Sequence, residues 1–213
     1  MKATPQERGA GVWSVGPHLV AHGRIDGPAL QSLLVSAGSV PVMYTDPPWG
    51  DQMMRYFATM AAKTGAAAPP QMAFADLLAR LAQIVDRHVR GAVFIEMGNK
   101  QAEQVAAAVR PVVSRLEILP ATYTMGGVTR PSSLIVGWKE LNFAPPVDRP
   151  GALDMVVNCL NATGITGTVL DPCCGLGYTA RAAMKCGWTF YGNEFNRARL
   201  DRTLGFLSRG TRA

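Results

Sequence analysis

Apolar and polar positions alternate along this chain with two periods. "VPVMYT" (40–45), "GAVFIEMG" (91–98) and "GTVLD" (167–171) are short, near-continuous apolar runs. Runs of that length predict strands buried on both faces, as in a parallel sheet. Between them the spacing changes. "AFADLLARLAQIVDRHVR" sets Leu77, Leu78, Leu81, Ile84, Val85 and Val89 at helical intervals, and "GPALQSLLVSAG" does the same with Leu30, Leu33 and Leu34. "KQAEQVAAAVR", stopped by Pro111, and "ALDMVVNCLNATG", stopped by Gly164, predict two further helices. "HLVAHGRID" holds a short strand. "VVSRLEILPATYTM" and "SSLIVGWKE" predict two strands joined through a turn at Gly126 and Gly127. The chain closes with helix "YTARAAMKCG", strand "WTFYGNE" and helix "NRARLDRTLGFLSRG". Strand and helix alternate, which predicts an α/β, doubly wound, mostly parallel sheet with helices on both faces and an antiparallel edge hairpin.

Two stretches break the pattern. Residues 1–16 are rich in Gly, Pro and charge and predict a flexible tail, leaving 17–213 as a single domain. The long segment 46–71 opens on a turn and holds a helical turn near Met53–Met60. It ends in the Ala- and Pro-rich "MAAKTGAAAPP", expected to cover a substrate as a mobile lid.

Composition narrows the class. At 213 residues, with 48% hydrophobic and 17% charged residues, the chain can bury a sizeable core. No apolar run approaches a membrane span and "MKATPQERGAG" lacks the apolar core of a signal peptide, so a cytoplasmic protein without a membrane partner is expected. Cys159, Cys173, Cys174 and Cys186 form no zinc-site spacing with His18, His22 and His88, so the expectation is reduced thiols and no metal. The net charge of +6 permits an anionic partner. From Arg181 onward seven basic residues face two acidic ones, so most of the surplus lies in the last two helical segments.

Chemistry concentrates at two strand ends. "VLDPCCGLGYTARAA" ends a buried strand at Asp171, turns through Gly175 and Gly177, and opens a helix near Tyr178. Ligands of doubly wound sheets bind at such carboxyl ends. Seventeen residues after Gly177, Glu194 ends the next strand, where an acid can accept from both hydroxyls of a ribose. No third glycine follows at dinucleotide spacing and no phosphate-loop lysine is present, so a nucleoside cofactor other than a dinucleotide or ATP is indicated. At the end of "VPVMYT", Asp46-Pro47-Pro48-Trp49 offers a carboxylate, a backbone carbonyl held by prolines, and an aromatic face.

Together these stretches resemble the S-adenosylmethionine-dependent amino-methyltransferases that act on adenine N6 or cytosine N4. "DPPW" resembles the family's catalytic motif, and "VLDPCCGLGYTARAA" its cofactor motif. "GWTFYGNE" is similar to the segment supplying the ribose-binding acid, "DRPGALDMVVNCL" to the helix-opening motif, and "HGRIDGPALQSLL" to the opening segment. The catalytic motif precedes the cofactor motif, which is the permuted order of the β class. The resemblance implies Asp46, Pro47, Pro48 and Trp49 as catalytic residues. It implies Asp26, Tyr44, Arg149, Asp171, Cys173, Gly175, Gly177 and Glu194 around S-adenosyl-L-methionine. Departures are Cys173 and Cys174 in place of Phe and its successor, Leu176 for Ser, Arg149 for Lys, and Arg24 where an acid is usual, with Asp26 as its substitute. A target-recognition insertion is missing, so specificity falls to the 50–72 loop, the hairpin, or a homodimeric or other partner. The function implied is methyl transfer to adenine N6 in DNA. The alternatives are cytosine N4, RNA, a nucleotide-like metabolite, a protein amide, or a catalytically silent nucleic-acid-binding subunit.

Overall fold

The computed structural model describes residues 3–63, 72–125 and 127–210. The expected lid segment lies outside these residues from 64 to 71, as does Gly126. One nine-stranded sheet organises the chain. Its centre is five parallel strands in the spatial order β3 (His18–His22), β9 (Thr189–Glu194), β8 (Thr168–Asp171), β4 (Val40–Thr45) and β5 (Val89–Met97). Their apolar runs are buried because helices cover both faces. One face packs α1 (Pro28–Ala37), α3 (Phe74–His88) and α4 (Ala102–Val109), through Leu30, Leu33, Leu81, Ile84 and Val105. The other packs α5 (Ala152–Ala162), α6 (Tyr178–Lys185) and α7 (Arg197–Arg209), through Met155, Leu160, Ala182, Leu200 and Leu204.

Antiparallel hairpins close both edges. The expected one pairs β6 (Arg115–Met125) with β7 (Val128–Trp138), and β7 continues onto β5. Pro120 and Pro131 sit inside these strands, where a central position would cost a ladder bond. The other corrects the reading of residues 1–16 as a loose tail. β1 (Gln6–Gly9) and β2 (Val12–Val15) form a hairpin, and β2 pairs with β3. Val12 and Val15 are buried there, and Trp13 takes the Arg197 guanidinium on its face at 5.0 Å. Four-residue strands are too short to show a period, and the Gly9-Ala10-Gly11 turn masked the pairing. The expected helical turn at 53–60 is also longer, a helix α2 spanning Asp51–Lys63.

The strand order reverses between β8 and β4. From β8 the chain crosses by α6 to β9 on one side, and from β4 by α2 and α3 to β5 on the other. Diverging crossovers leave a crevice beyond the carboxyl ends of these two strands. Asp171 ends β8 and Asp46 follows β4, so the two signatures flank one crevice.

Candidate active site

On the β8–β9 side, short-range hydrogen bonds shape the loop. Asp171 is buried, and its Oδ1 accepts from the Cys173 N–H at 3.0 Å while Oδ2 accepts from the Thr179 hydroxyl at 2.5 Å. One carboxylate thus ties the start of the loop to the first turn of α6. Desolvation raises its pKa to about 6 against the lowering effect of those donors. Gly175 and Gly177 have φ of +52° and +79°, and a Cβ on Gly177 would fall 2.7 Å from the Thr203 hydroxyl. Only glycine fits that approach of loop to α7. Cys173 contributes its backbone here. Burial pushes its thiol well up, so the side chain behaves as an inert apolar group.

Glu194 ends β9 almost fully buried. Its Oε1 accepts from the Asn196 N–H at 2.6 Å, and Gly175 supplies a second backbone donor. Desolvation lifts its pKa to about 7, opposed by these donors and by Arg199. Two backbone donors leave a carboxylate with acceptor capacity for the hydroxyls of a diol.

On the β4 side, the Trp49 indole N–H donates to Asp46 Oδ1 at 2.8 Å. The Trp49 ring lies close over Gly98, where a Cβ would come within 2.8 Å of it. Its other neighbour is Tyr123 of β6, at a centroid distance of 4.9 Å and 63° between planes. Pro47 is buried, Pro48 half-buried, and the Gly50 N–H closes the turn on the Pro48 carbonyl at 3.0 Å. The Pro47 carbonyl therefore stays out of the turn's own hydrogen bonding. Asp46 is exposed on its outer side yet has protein around it. Its carboxyl is raised well above the usual range by desolvation, then by the charge of Glu96. Water at the exposed side tempers the first effect; repulsion from a buried neighbour persists.

Three expected cofactor residues are engaged with other groups of the protein. Tyr44 is buried under Asp46, and its hydroxyl donates to Glu96 at 2.9 Å, because strand alternation turns it into the core. Arg149 is spent on carbonyls, donating to Pro120 at 2.6 Å and Pro146 at 2.5 Å, which staples the linker before α5 to β6. Asp26 stands at the carboxyl end of β3 in a bidentate pair with Arg24, at 2.7 and 2.8 Å. Two residues were missed. Glu96 is a lone acid inside the apolar run of β5, a signal that was present in the sequence. Tyr123 carried none, since only the hairpin register brings it to Trp49.

The basic carboxyl-terminal helices put much of their charge on aromatic rings: Arg181 and Arg209 on Phe206, Arg197 on Trp13, and Arg199 on Phe57 at 4.4 Å. The last contact links α7 to α2, beside the crevice. No helix among the described residues is long and apolar enough to cross a membrane.

The fold is one shared with solved structures of DNA methyltransferases. Three such solved structures superpose on most of the chain. M1.HpyAVI matches at 16% identity and a TM-score of 0.57, over 86% of this chain and 95% of that one. TTHA0409 of Thermus thermophilus, described as a DNA modification methylase and solved with S-adenosyl-L-methionine, matches at 18% and 0.60, over 90% and 93%. The cytosine-N4-specific PvuII DNA methyltransferase matches at 10% and 0.53, over 90% and 93%. No protein-family model and no curated protein sequence matches the chain.

Proposed function

We propose that this protein transfers a methyl group from S-adenosyl-L-methionine to an exocyclic amine of a nucleobase in DNA, with adenine N6 as the acceptor. The observation that carries the reading is the crevice at the strand-order reversal, with a glycine loop and Glu194 on one side and Asp46-Pro47-Pro48-Trp49 on the other. The residues fit a nucleoside cofactor. Gly175 and Gly177 hold the backbone without side chains, Asp171 fixes that loop, and Glu194 retains acceptor capacity for ribose hydroxyls. The bound cofactor supplies an electrophilic methyl group on a sulfonium.

The chain's own residues prepare the acceptor. An aromatic amine is a poor nucleophile because its lone pair is delocalised into the ring. Asp46 and the Pro47 carbonyl each accept one amine hydrogen, which favours a pyramidal nitrogen with its lone pair turned out of the ring. Prolines hold that carbonyl in place before the reaction, so little reorganisation is needed. Trp49 gives the base a face to stack on, worth about 1–3 kcal/mol. Its indole N–H donates to Asp46 Oδ1, which leaves the other carboxylate oxygen to accept from the amine.

A base in duplex DNA must leave the stack to reach this turn, at a cost of a few kcal/mol. The test is transfer of labelled methyl to duplex and single-stranded DNA, RNA and protein. Product nucleosides then separate N6-methyladenine from N4-methylcytosine. Label in adenine of DNA, lost in Asp46→Ala, is expected; label confined to RNA or protein overturns the DNA assignment.

A further inference from the structure

Glu96 is the acid that the acceptor turn does not account for. The parallel register pairs Tyr44 with Phe94 and Thr45 with Ile95, and one further step sets Asp46 beside Glu96 on the neighbouring strand. Both follow inward-facing residues of the same sheet face, Tyr44 and Phe94. Neighbouring strands lie about 4.8 Å apart, so two carboxyls stand together at the strand ends. Glu96 is 2% exposed. One of its oxygens, Oε2, takes the Tyr44 hydroxyl, while Oε1 is buried with no hydrogen-bond partner. An apolar residue would serve the core of β5 better, since an unsatisfied buried carboxyl oxygen is costly.

We propose, resting on the reading of Asp46 as the acceptor-side residue, that Glu96 is a positioning residue that acts through Asp46: the two carboxyls interact through their charges, and the negative charge of Glu96 strengthens Asp46 as the acceptor of the proton that the methylated amine gives up. After methyl transfer the nitrogen is cationic. One N–H bonding pair stays on nitrogen as the proton passes to Asp46, whose exposed side then returns it to water. A like charge alongside raises the proton affinity of a carboxylate. Both groups are in fact raised, Glu96 to about 6, chiefly by desolvation. Other groups bear on the pair. Asp171 on β8 adds to the repulsion at Asp46 and Arg199 on α7 opposes it. Tyr123 on β6 and Cys159 on α5 face the carboxyls as neutral groups with raised pKa values.

The test reads the carboxyls directly. In the full chain labelled with carboxyl-13C Asp and Glu, Asp46 is expected to titrate in two steps, one of them shared with Glu96. Glu96→Gln keeps an acceptor for the Tyr44 hydroxyl and removes the charge. It should collapse Asp46 to one step at lower pH and move the acid limb of single-turnover transfer to lower pH in parallel. Tyr44→Phe leaves both carboxyls and deletes a bond that favours ionised Glu96, so the summed titration of the pair should move to higher pH. An Asp46 titration unmoved in folded Glu96→Gln overturns the proposal. If that variant fails to fold, an unmoved sum in Tyr44→Phe does so instead. Full transfer by Asp46→Ala would sink the acceptor reading itself. Loss in Asp46→Ala with an unmoved acid limb in Glu96→Gln sinks only the coupling.

Discussion

Asp46 and Glu194 sit on opposite sides of one crevice, so their removal should separate donor from acceptor. Asp46→Ala should slow single-turnover transfer at saturating cofactor by about a hundred- to a thousand-fold, the usual loss for one preorganised group of ~2.7–4 kcal/mol. Cofactor affinity, measured by calorimetry, should stay within a few-fold, because the role proposed for Asp46 is toward the amine. Near-native rates in this variant would reduce DPPW to a turn. Glu194→Ala should do the reverse and weaken cofactor binding by about 1.5–3 kcal/mol, the range for hydrogen bonds to a charged acceptor. Its pKa of about 7 adds a pH dependence. In the proposed mode ribose hydroxyls donate to the ionised carboxyl, so protonation competes with binding. The dissociation constant should rise as pH falls below about 7, and that slope should vanish in Glu194→Ala.

The elements differ in how firmly they are held. α3 buries Phe74, Leu77, Leu78, Leu81, Ile84 and Val85, whereas none of the side chains described in α2 is buried. α2 is held at its start by the Phe74 N–H donating to Asp51 at 2.9 Å, and further along by Phe57 beneath Arg199. A cation–π contact at an exposed site is worth about 0.5–1 kcal/mol. Amide exchange along 52–60 should therefore be faster than in the core of α3 in the free protein. Phe57→Ala should accelerate it further, with no change in α3. Equal protection of the two helices would show that α2 is anchored by more than these contacts. The same helix packs beside Arg199, which bears on both Asp46 and Glu194. This places α2 where it can respond to ligands.

At the scale of the whole molecule, the crevice collects buried acids. Asp171 and Glu96 are raised to about 6 and Glu194 to about 7, all chiefly by desolvation. A carboxyl whose folded pKa lies above its unfolded value contributes stability that is fully present below the unfolded pKa. That contribution is lost as pH rises through the folded pKa. The window here runs from about pH 4 to about pH 7, the lower bound being the ordinary carboxylate range. The ligand-free protein should therefore resist urea better at about pH 5 than at about pH 8, with the midpoint moving upward as pH falls. The triple variant Asp171→Asn, Glu96→Gln, Glu194→Gln should lose most of that dependence if it remains folded. A wild-type midpoint that falls steadily from about pH 8 to about pH 5 would contradict the assignment. On the proposed reading these acids are tolerated because one sheet end carries both halves of the site, an instance of stability given up where ligands bind.

The sequence by itself determined the parallel centre of the sheet and the turns at its carboxyl ends. Continuous apolar runs such as 40–45 must be covered on both faces, and the helical spacing of 74–89 supplied a cover. Proline and glycine then fixed where the strands stop, which located Asp46, Asp171 and Glu194 without any long-range information. Tertiary structure decided everything that depends on one strand lying beside another. The β1–β2 hairpin is legible only once β3 offers an edge to pair with. Tyr44 and Arg149 sit near signature motifs in sequence, but strand alternation turned Tyr44 inward and two free carbonyls captured Arg149. Glu96 lies 50 residues from Asp46 in the chain and one strand away in space. Local periodicity reports which way a residue faces; the order and register of strands, set by the packing of the whole core, report which residues meet.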